Sequence, residues 1–262
     1  MTSATDIKIE IRNLTMAYGS FVVMRDISAQ VKRGEVFIIM GGSGCGKSTL
    51  LRHMIGLKQP ATGDIYYDGT PFWQSDEDAR NDKLRSFGVL FQSGALWSSM
   101  TLAENIGLVL GEYTTFPPAE IREIARLKLA LVGLKGFEDY YPAEISGGMC
   151  KRAGLARALA LDPDVLFFDE PSAGLDPISS RNLDELILQL RDSLGATFVV
   201  VTHELASIFT IADNSVFLDP STRTMRASGN PRELLKHSTD PAVQQFLTRG
   251  ELAAPSANTK TR

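Results

Sequence analysis

Val36-Phe37-Ile38-Ile39-Met40-Gly41-Gly42-Ser43-Gly44-Cys45-Gly46-Lys47-Ser48-Thr49 joins a continuous apolar run to a glycine-rich turn that ends in a lysine and two hydroxyl residues. Apolar residues at successive positions, without alternation, describe a strand buried on both faces, as in a parallel sheet covered by helices. Val165-Leu166-Phe167-Phe168 and Phe198-Val199-Val200-Val201 have the same character. Each run is followed at once by small or polar residues able to do chemistry: Gly41-Gly42-Ser43, Asp169-Glu170 and Thr202-His203. Parallel α/β sheets hold their ligands outside the carboxyl ends of the strands, which is where these residues fall.

The stretch from Gly41 to Ser48 fits G-x4-G-K-[ST] between a strand and a helix, the context in which that pattern binds nucleoside triphosphates. Its residues Gly41, Gly42, Ser43, Gly44, Cys45 and Gly46 let successive backbone N–H groups turn inward around an anion. A helix over 47–57 adds about half a positive charge at its start. Lys47 is expected to bridge the β- and γ-phosphates, Ser48 to ligate Mg²⁺, and Thr49 to reach the α-phosphate by hydroxyl or amide. Cys45 reads as a small spacer, with sensitivity to alkylation as a side effect. Asp169 and Glu170 end a strand, so alternation sends them to opposite sides and gives them different tasks. Asp169 is the expected Mg²⁺ partner, through water, and Glu170 the group that orients or deprotonates an attacking water. His203 ends the third run and could approach the γ-phosphate, whereas His53 and His237 lie in no such context.

The 262 residues, 44% hydrophobic and 22% charged, are enough for one large core with an inserted subdomain. A net charge of -4 and the absence of a long basic run speak against a nucleic-acid partner. The start, Met1 to Asp6, is polar and lacks a signal-peptide pattern, and no apolar run approaches the roughly 18 residues of a spanning helix. A cytosolic location follows as an expectation. The two cysteines, Cys45 and Cys150, form neither a disulfide framework nor a zinc spacing.

Near-alternation over 7–12 and 22–31 predicts an antiparallel sheet at the edge. Between the first two buried strands, about 95–163 carries helical patterns, among them 119–132 and 149–161. A further helix over 180–194 places Leu183, Leu186, Ile187, Leu190 and Leu194 at helical spacing. A last strand pair is expected over 214–229 with a Pro220-Ser221 turn, short helices over 231–249, and a disordered tail over 251–262. The fold class is therefore α/β: a phosphate-loop core of mainly parallel sheet, an antiparallel β edge subdomain and an inserted α-helical subdomain. The expected bounds are a single domain over 1–250, with its core at about 7–92 and 164–235 and the helical subdomain at about 93–163.

Many NTPases share a phosphate loop; Ile145-Ser146-Gly147-Gly148-Met149 narrows the choice. Together with Tyr18, Gln92, Asp169-Glu170, Asp176 and His203, in that order along the chain, it makes residues 7–235 resemble the ABC ATPase family. The resemblance implies that Tyr18 stacks on adenine, that Gln92 senses Mg²⁺ and links the sheet to the helical subdomain, and that Ala173-Gly174-Leu175-Asp176 contacts a second copy. It also implies that Ser146, Gly147, Gly148 and Met149 face ATP held by that copy, so a homodimer closes around two ATP with Mg²⁺. Independently, Ser146 is a good N-cap, and a helix beginning near Met149 offers a positive dipole end. Lys151 and Arg152 would cost about 0.3–1 kcal/mol each against that dipole unless an anion compensates or solvent screens them.

The commonest family signature is Leu-Ser-Gly-Gly-Gln, and Met149 removes its last hydrogen-bonding side chain. The Ser-Gly-Gly-Met form followed by basic residues, with Phe91-Gln92-Ser93-Gly94-Ala95-Leu96, resembles the ATPases of Mla/Mce-type lipid transporters. That resemblance implies a peripheral subunit on the cytoplasmic face of the inner membrane. Its partners would be an integral permease near Leu96, Trp97 and Met100, Mce-domain proteins and small accessory subunits, with phospholipid as cargo. The alternative for those three residues is packing within the helical subdomain. Rival readings are an ABC transporter ATPase for another cargo, a soluble ABC ATPase of DNA repair or translation, and a GTP switch. The sequence shows no long coiled-coil insertion, second cassette or Asn/Thr-Lys-x-Asp motif.

Overall fold

Elements form where the apolar pattern has a partner to bury against, and the computed structural model describes them over residues 6–249. In chain order these are β1 (Ile7–Tyr18), β2 (Phe21–Lys32), β3 (Val36–Gly41), α1 (Lys47–Met54), β4 (Thr62–Tyr67), β5 (Thr70–Pro71), α2 (Glu77–Arg85) and β6 (Phe87–Leu90). There follow α3 (Leu102–Tyr113), α4 (Pro118–Leu131), α5 (Gly147–Ala158), β7 (Val165–Asp169), α6 (Pro177–Leu194) and β8 (Thr197–Val201). The described chain closes with α7 (Leu205–Ile211), β9 (Asn214–Asp219), β10 (Thr224–Ser228), α8 (Pro231–His237) and α9 (Pro241–Leu247). The disordered tail expected over 251–262 lies outside the described residues.

The alternating strands β1 and β2 form the expected antiparallel pair, closed where Tyr18 faces Phe21. They belong to a four-stranded sheet in the order β2-β1-β4-β5. Strand β4 escapes a hydrophobic pattern because it begins Thr62-Gly63-Asp64. Buried Asp64 serves the local turn instead, its carboxylate accepting the backbone N–H groups of Ile65, Trp73 and Gln74.

The continuous apolar runs become β3, β7 and β8 in a six-stranded sheet ordered β10-β9-β3-β8-β7-β6, whose pairs are parallel except for β9 with β10. Alternation divides each strand between two cores. From β3, Val36, Ile38 and Met40 face a cluster completed by α3, α5, α6 and α7, while Phe37 and Ile39 face one shared with α1 and the antiparallel sheet. Burial on both faces explains why these strands show no polar alternation.

Helices α3, α4 and α5 come between β6 and β7. Helix α3 starts in a capping box of Thr101 and Glu104, and α5 is capped by Ser146, whose hydroxyl accepts from Met149 N–H at 3.2 Å. Helix α5 lies close on β6: a Cβ at Gly88 would sit 2.3 Å from the Ala158 carbonyl, and one at Gly154 2.9 Å from the Gly94 carbonyl. Helix α6 begins at the Asp176 cap and ends at left-handed Gly195. Leu183, Ile187 and Leu190 are buried and Leu186 partly so, but Leu194, counted by spacing with them, is 47% exposed. It is the last residue before Gly195, where the helix has run past its apolar support. Among the described residues no helix is long and apolar enough to cross a membrane.

Asp184 is buried on α6, which packs against α7. Burial raises its carboxyl pKa to about 6, opposed by the Ser207 hydroxyl and aided by Glu185. A raised acid pKa contributes stability that is present below the unfolded value and is lost as pH rises through about 6. Asp184→Asn should therefore gain on the parent chain by about 1.5 kcal/mol as pH goes from 5 to 7.5. Urea unfolding at the two pH values measures this; a constant difference between parent and variant would show that Asp184 ionises freely.

Candidate active site

Two glycines shape the loop before α1. A Cβ on Gly41 would fall 2.5 Å from the Leu218 carbonyl, and Gly46 has φ 94° with Val23 only 2.9 Å from where a Cβ would stand. Helix α1 therefore begins abruptly, with no side-chain cap and no acidic residue in its first turn, leaving its N–H groups for a ligand. Lys47 is buried, and its ammonium donates to the carbonyls of Gly41 at 2.9 Å and Gly42 at 3.0 Å. Ser48 Oγ donates to Asp169 Oδ1 at 2.8 Å. Ser43, Gly44 and Cys45 complete the loop between Gly42 and Gly46.

Strand β7 stops at Asp169, and Glu170 enters the left-handed region with φ 49°. Alternation no longer applies there, so the expectation of opposite directions is corrected: both carboxylates enter the phosphate-loop region, with different partners. Glu170 Oε1 lies 2.9 Å from His203 Nδ1 and 3.9 Å from the Lys47 ammonium. Glu170 Oε2 is buried without a hydrogen-bond partner. A buried carboxylate oxygen left unpaired is costly and points to a missing donor.

Residues 43–48 of this loop, Glu170 and His203 line a cleft of about 570 Å³ that also meets Tyr18, Phe21, Val23, Thr49 and Gln92, with Asp169 bonded to its Ser48. Tyr18 is half-exposed at the hairpin end, with Lys58 Nζ 4.0 Å from its ring centroid. The Thr49 side chain first, then Arg52 and Lys58, hold its phenol below the ordinary pKa. Gln92 is exposed just after β6. A larger cleft of about 830 Å³ on the helical insertion, walled by Leu110, Phe116, Ile124, Leu127 and Leu131, is mostly apolar and contains none of these groups.

Ser146, Gly147 and Gly148 stand at the start of α5, outside that cleft. The Met149 side chain is half-buried against the core. Asp176 accepts the N–H groups of Ile178 and Ser179, both at 3.0 Å, and the adjoining Ile178 is 73% exposed. Bonds from Ser179 hold the Asp176 carboxyl below its ordinary pKa. Lys151 and Arg152 do not wait for an external anion: Lys151 donates to the Ala173 carbonyl at 2.8 Å, and Arg152 to that of Val132 at 3.4 Å. Of the three residues read as a permease contact, Leu96 is half-buried on the core, Met100 is half-buried, and Trp97 is 59% exposed. Buried Asn105 fixes that loop by donating to the carbonyls of Trp97, Met100 and Thr101.

The sequence reading missed Phe21 and Val23 as cleft walls, and Arg157, which donates to the carbonyls of Gly94 and Ala95 beside Gln92. The pairing of Tyr18 with Phe21 across the hairpin was the available signal for the first. His53, read as ordinary, is fully buried with Nε2 unpartnered, and burial lowers its pKa.

The family model described as ABC transporter matches residues 24–173. The "probable ribonucleotide transport ATP-binding protein mkl" of Mycobacterium tuberculosis is 43% identical over 241 residues, covering 92% of this chain and 66% of the relative, slightly under two thirds. The "intermembrane phospholipid transport system ATP-binding protein MlaF" of Haemophilus influenzae is 40% identical over 247 residues, covering 94% of this chain and 92% of the relative. Among solved structures, the dimeric ATP-binding cassette MJ0796 in a post-hydrolysis state with ADP and Pi superposes with a TM-score of 0.75 at 28% identity, covering 85% of this chain and 98% of that one.

One expectation about the loop is overturned by its packing. Cys45 is 1% exposed, and burial pushes its thiol up from the ordinary value against the opposing Lys47 charge, so it is poorly accessible and little ionised. In the native chain it should react with iodoacetamide at least about tenfold more slowly than after unfolding in urea. Peptide mass spectrometry gives the two rates, and equal rates would place Cys45 at the surface.

Proposed function

The chain belongs to the ABC transporter family, and on that premise we propose that it is the ATP-hydrolysing subunit of a membrane lipid transporter, two copies of which close around two ATP. The unpartnered Glu170 oxygen carries the hydrolytic part of this reading, because it lies buried within the site that holds Lys47. The α1 N–H groups and the Lys47 ammonium receive the triphosphate; the lysine's present acceptors are carbonyls of its own loop, so it can exchange them for phosphate oxygens. Ser48 Oγ and Asp169 Oδ1 are a hard oxygen pair that suits Mg²⁺, with Asp169 acting through water. That ion supplies charge neutralisation on the phosphates.

Glu170 Oε2 accepts the proton of a water whose oxygen bonds to the γ-phosphorus as the bond to the ADP oxygen breaks. His203, with Nδ1 protonated, donates to Oε1 and fixes the carboxylate's orientation. Tyr18 offers a ring to the base, and Gln92 approaches the same cleft from β6. The signature turn, Ser146 to Met149, completes the other copy's site through its helix start and uncrowded glycines; no atom meets a Cβ on Gly147. Because Met149 turns its side chain onto the core, its contribution is through the backbone. Asp176 and exposed Ile178 belong to the same dimer face.

Phospholipid is the favoured cargo because the likeness to MlaF runs over nearly the whole of that protein, and because the Ser-Gly-Gly-Met signature agrees with it. The mkl name, which specifies ribonucleotide transport, supports a second cargo. The location is peripheral at the cytoplasmic membrane face, held by a permease helix against exposed Trp97, with Leu96 and Met100 as its footing. Mce-domain and small accessory subunits are the further partners. Purification of the native complex, with mass spectrometry of its lipids and nucleotides, tests the cargo. Recovery of a stable complex with DNA or ribosomes and no permease would overturn the transporter reading.

Two substitutions test the chemistry. Glu170→Gln should lower kcat by about 10²- to 10⁴-fold, leave the ATP Kd within about threefold, and accumulate an ATP-bound dimer visible by light scattering. Hydrolysis at the parental rate would refute the role of Glu170. Lys47→Ala should instead raise the ATP Kd by about tenfold or more, an effect read by nucleotide titration. An unchanged Kd would move the phosphates away from this loop.

A further inference from the structure

Helix α5 carries Lys151, Arg152 and Arg157, and each is bonded to backbone carbonyls; among the described residues none forms an ion pair within 4.0 Å. Lys151 is the most buried of the three, at 7% exposure. Its ammonium sits 2.8 Å from the Ala173 carbonyl and 3.4 Å from the Glu170 carbonyl. Those two residues are the ends of one turn, closed by the Ala173 N–H on the same Glu170 carbonyl at 3.2 Å. The turn begins with Glu170 in a left-handed conformation that non-glycine residues avoid, and it runs on to Asp176 at the head of α6.

An ammonium removed from water must be compensated, and an apolar side chain of equal length would fill the same space at lower cost. Burial does lower the Lys151 pKa, with the Glu170 charge opposing. We propose that Lys151 is a positioning residue for catalysis: by tying both ends of the Glu170–Ala173 turn to the signature helix, it holds Glu170 with its free oxygen in the site. The proposal rests on the reading of Glu170 given above. Since the start of α5 faces the other copy's ATP in that reading, Lys151 links engagement of one site to the geometry of the carboxylate in its own.

Lys151→Met keeps most of the apolar stem of the side chain, one atom shorter, and removes its donors. In the full-length protein it should lower kcat by about tenfold to a hundredfold, with KM for ATP within about threefold. In the Glu170→Gln background, single-turnover hydrolysis should be insensitive to Lys151→Met, and the ATP-bound dimer should still accumulate. An equal loss in both backgrounds, or loss of the dimer, would show that Lys151 acts independently of Glu170 and overturn the proposal. If Lys151→Met does not fold, Lys151→Gln carries the test: its shorter amide can serve one carbonyl, and kcat should fall about threefold. Parental kcat in the variant that folds, alongside a normal Glu170→Gln loss, would overturn the Lys151 role alone. A parental rate in Glu170→Gln would remove the reading of Glu170 and this proposal together.

Discussion

The chemistry at this cleft depends on the register in which three parallel strands end. Ile39 pairs with Val201, and Val201 in turn with Asp169, so β8 and β7 end level with one another while β3 runs two residues further, to Gly41. The phosphate loop, His203 and the two carboxylates arrive at one edge for that reason. A slip of one residue would move a strand end by about 3.3 Å and turn its side chains over. The contacts of Asp169 with Ser48, at 2.8 Å, and of His203 with Glu170, at 2.9 Å, leave no room for such a shift. The register is protected by burial: alternate residues of each strand belong to different cores, so a slipped strand would mismatch both.

How much could be read from the sequence follows from the same division. Runs buried on both faces, such as Val36 to Met40, announce themselves, and the glycine pattern after them is nearly unambiguous. Strand β4 did not, since its buried Asp64 looks polar until the three backbone donors it serves are known. Leu194 shows the opposite failure, a residue at the right spacing but at a helix end with nothing to cover it. The directions of Asp169 and Glu170 could not be inferred from alternation, because the strand ends between them. For Lys151 the sequence posed the right question, a cation at a positive helix end, but the answer lay in carbonyls of a turn distant along the chain.

Helix α5 is the element that converts a sheet edge into a coupled site. Glycines at 88 and 154 let it approach β6 and the loop after it more closely than any larger residue would permit. From that distance Arg157 reaches the carbonyls of Gly94 and Ala95, beside Gln92, while Lys151 reaches the turn after β7. Both contacts join a charged donor to neutral backbone acceptors. They are therefore stronger than ordinary hydrogen bonds, yet independent of any side chain opposite. A displacement of α5 would thus be felt by both loops that border the cleft.

Several groups in the cleft are held in arrangements that a ligand would alter. The first N–H groups of α1 have no cap, Glu170 Oε2 has no partner, and Glu170 has a strained backbone. Lys47 occupies itself with the carbonyls of the loop it would otherwise leave free. The uncapped N–H groups, the unpaired oxygen and the left-handed Glu170 cost stability in the isolated chain and persist because the packed strands and α5 over-determine them. Nucleotide binding relieves the first and the last, whereas the Glu170 oxygen is relieved only by a donor placed beside it. The order of events follows from that difference: phosphate contacts can form on a single chain, but the carboxylate completes its hydrogen bonding only once a water is ordered against it. On the role proposed for Glu170, closure of a second copy over the cleft is the step that would confine such a water, which would place hydrolysis behind dimerisation rather than behind binding.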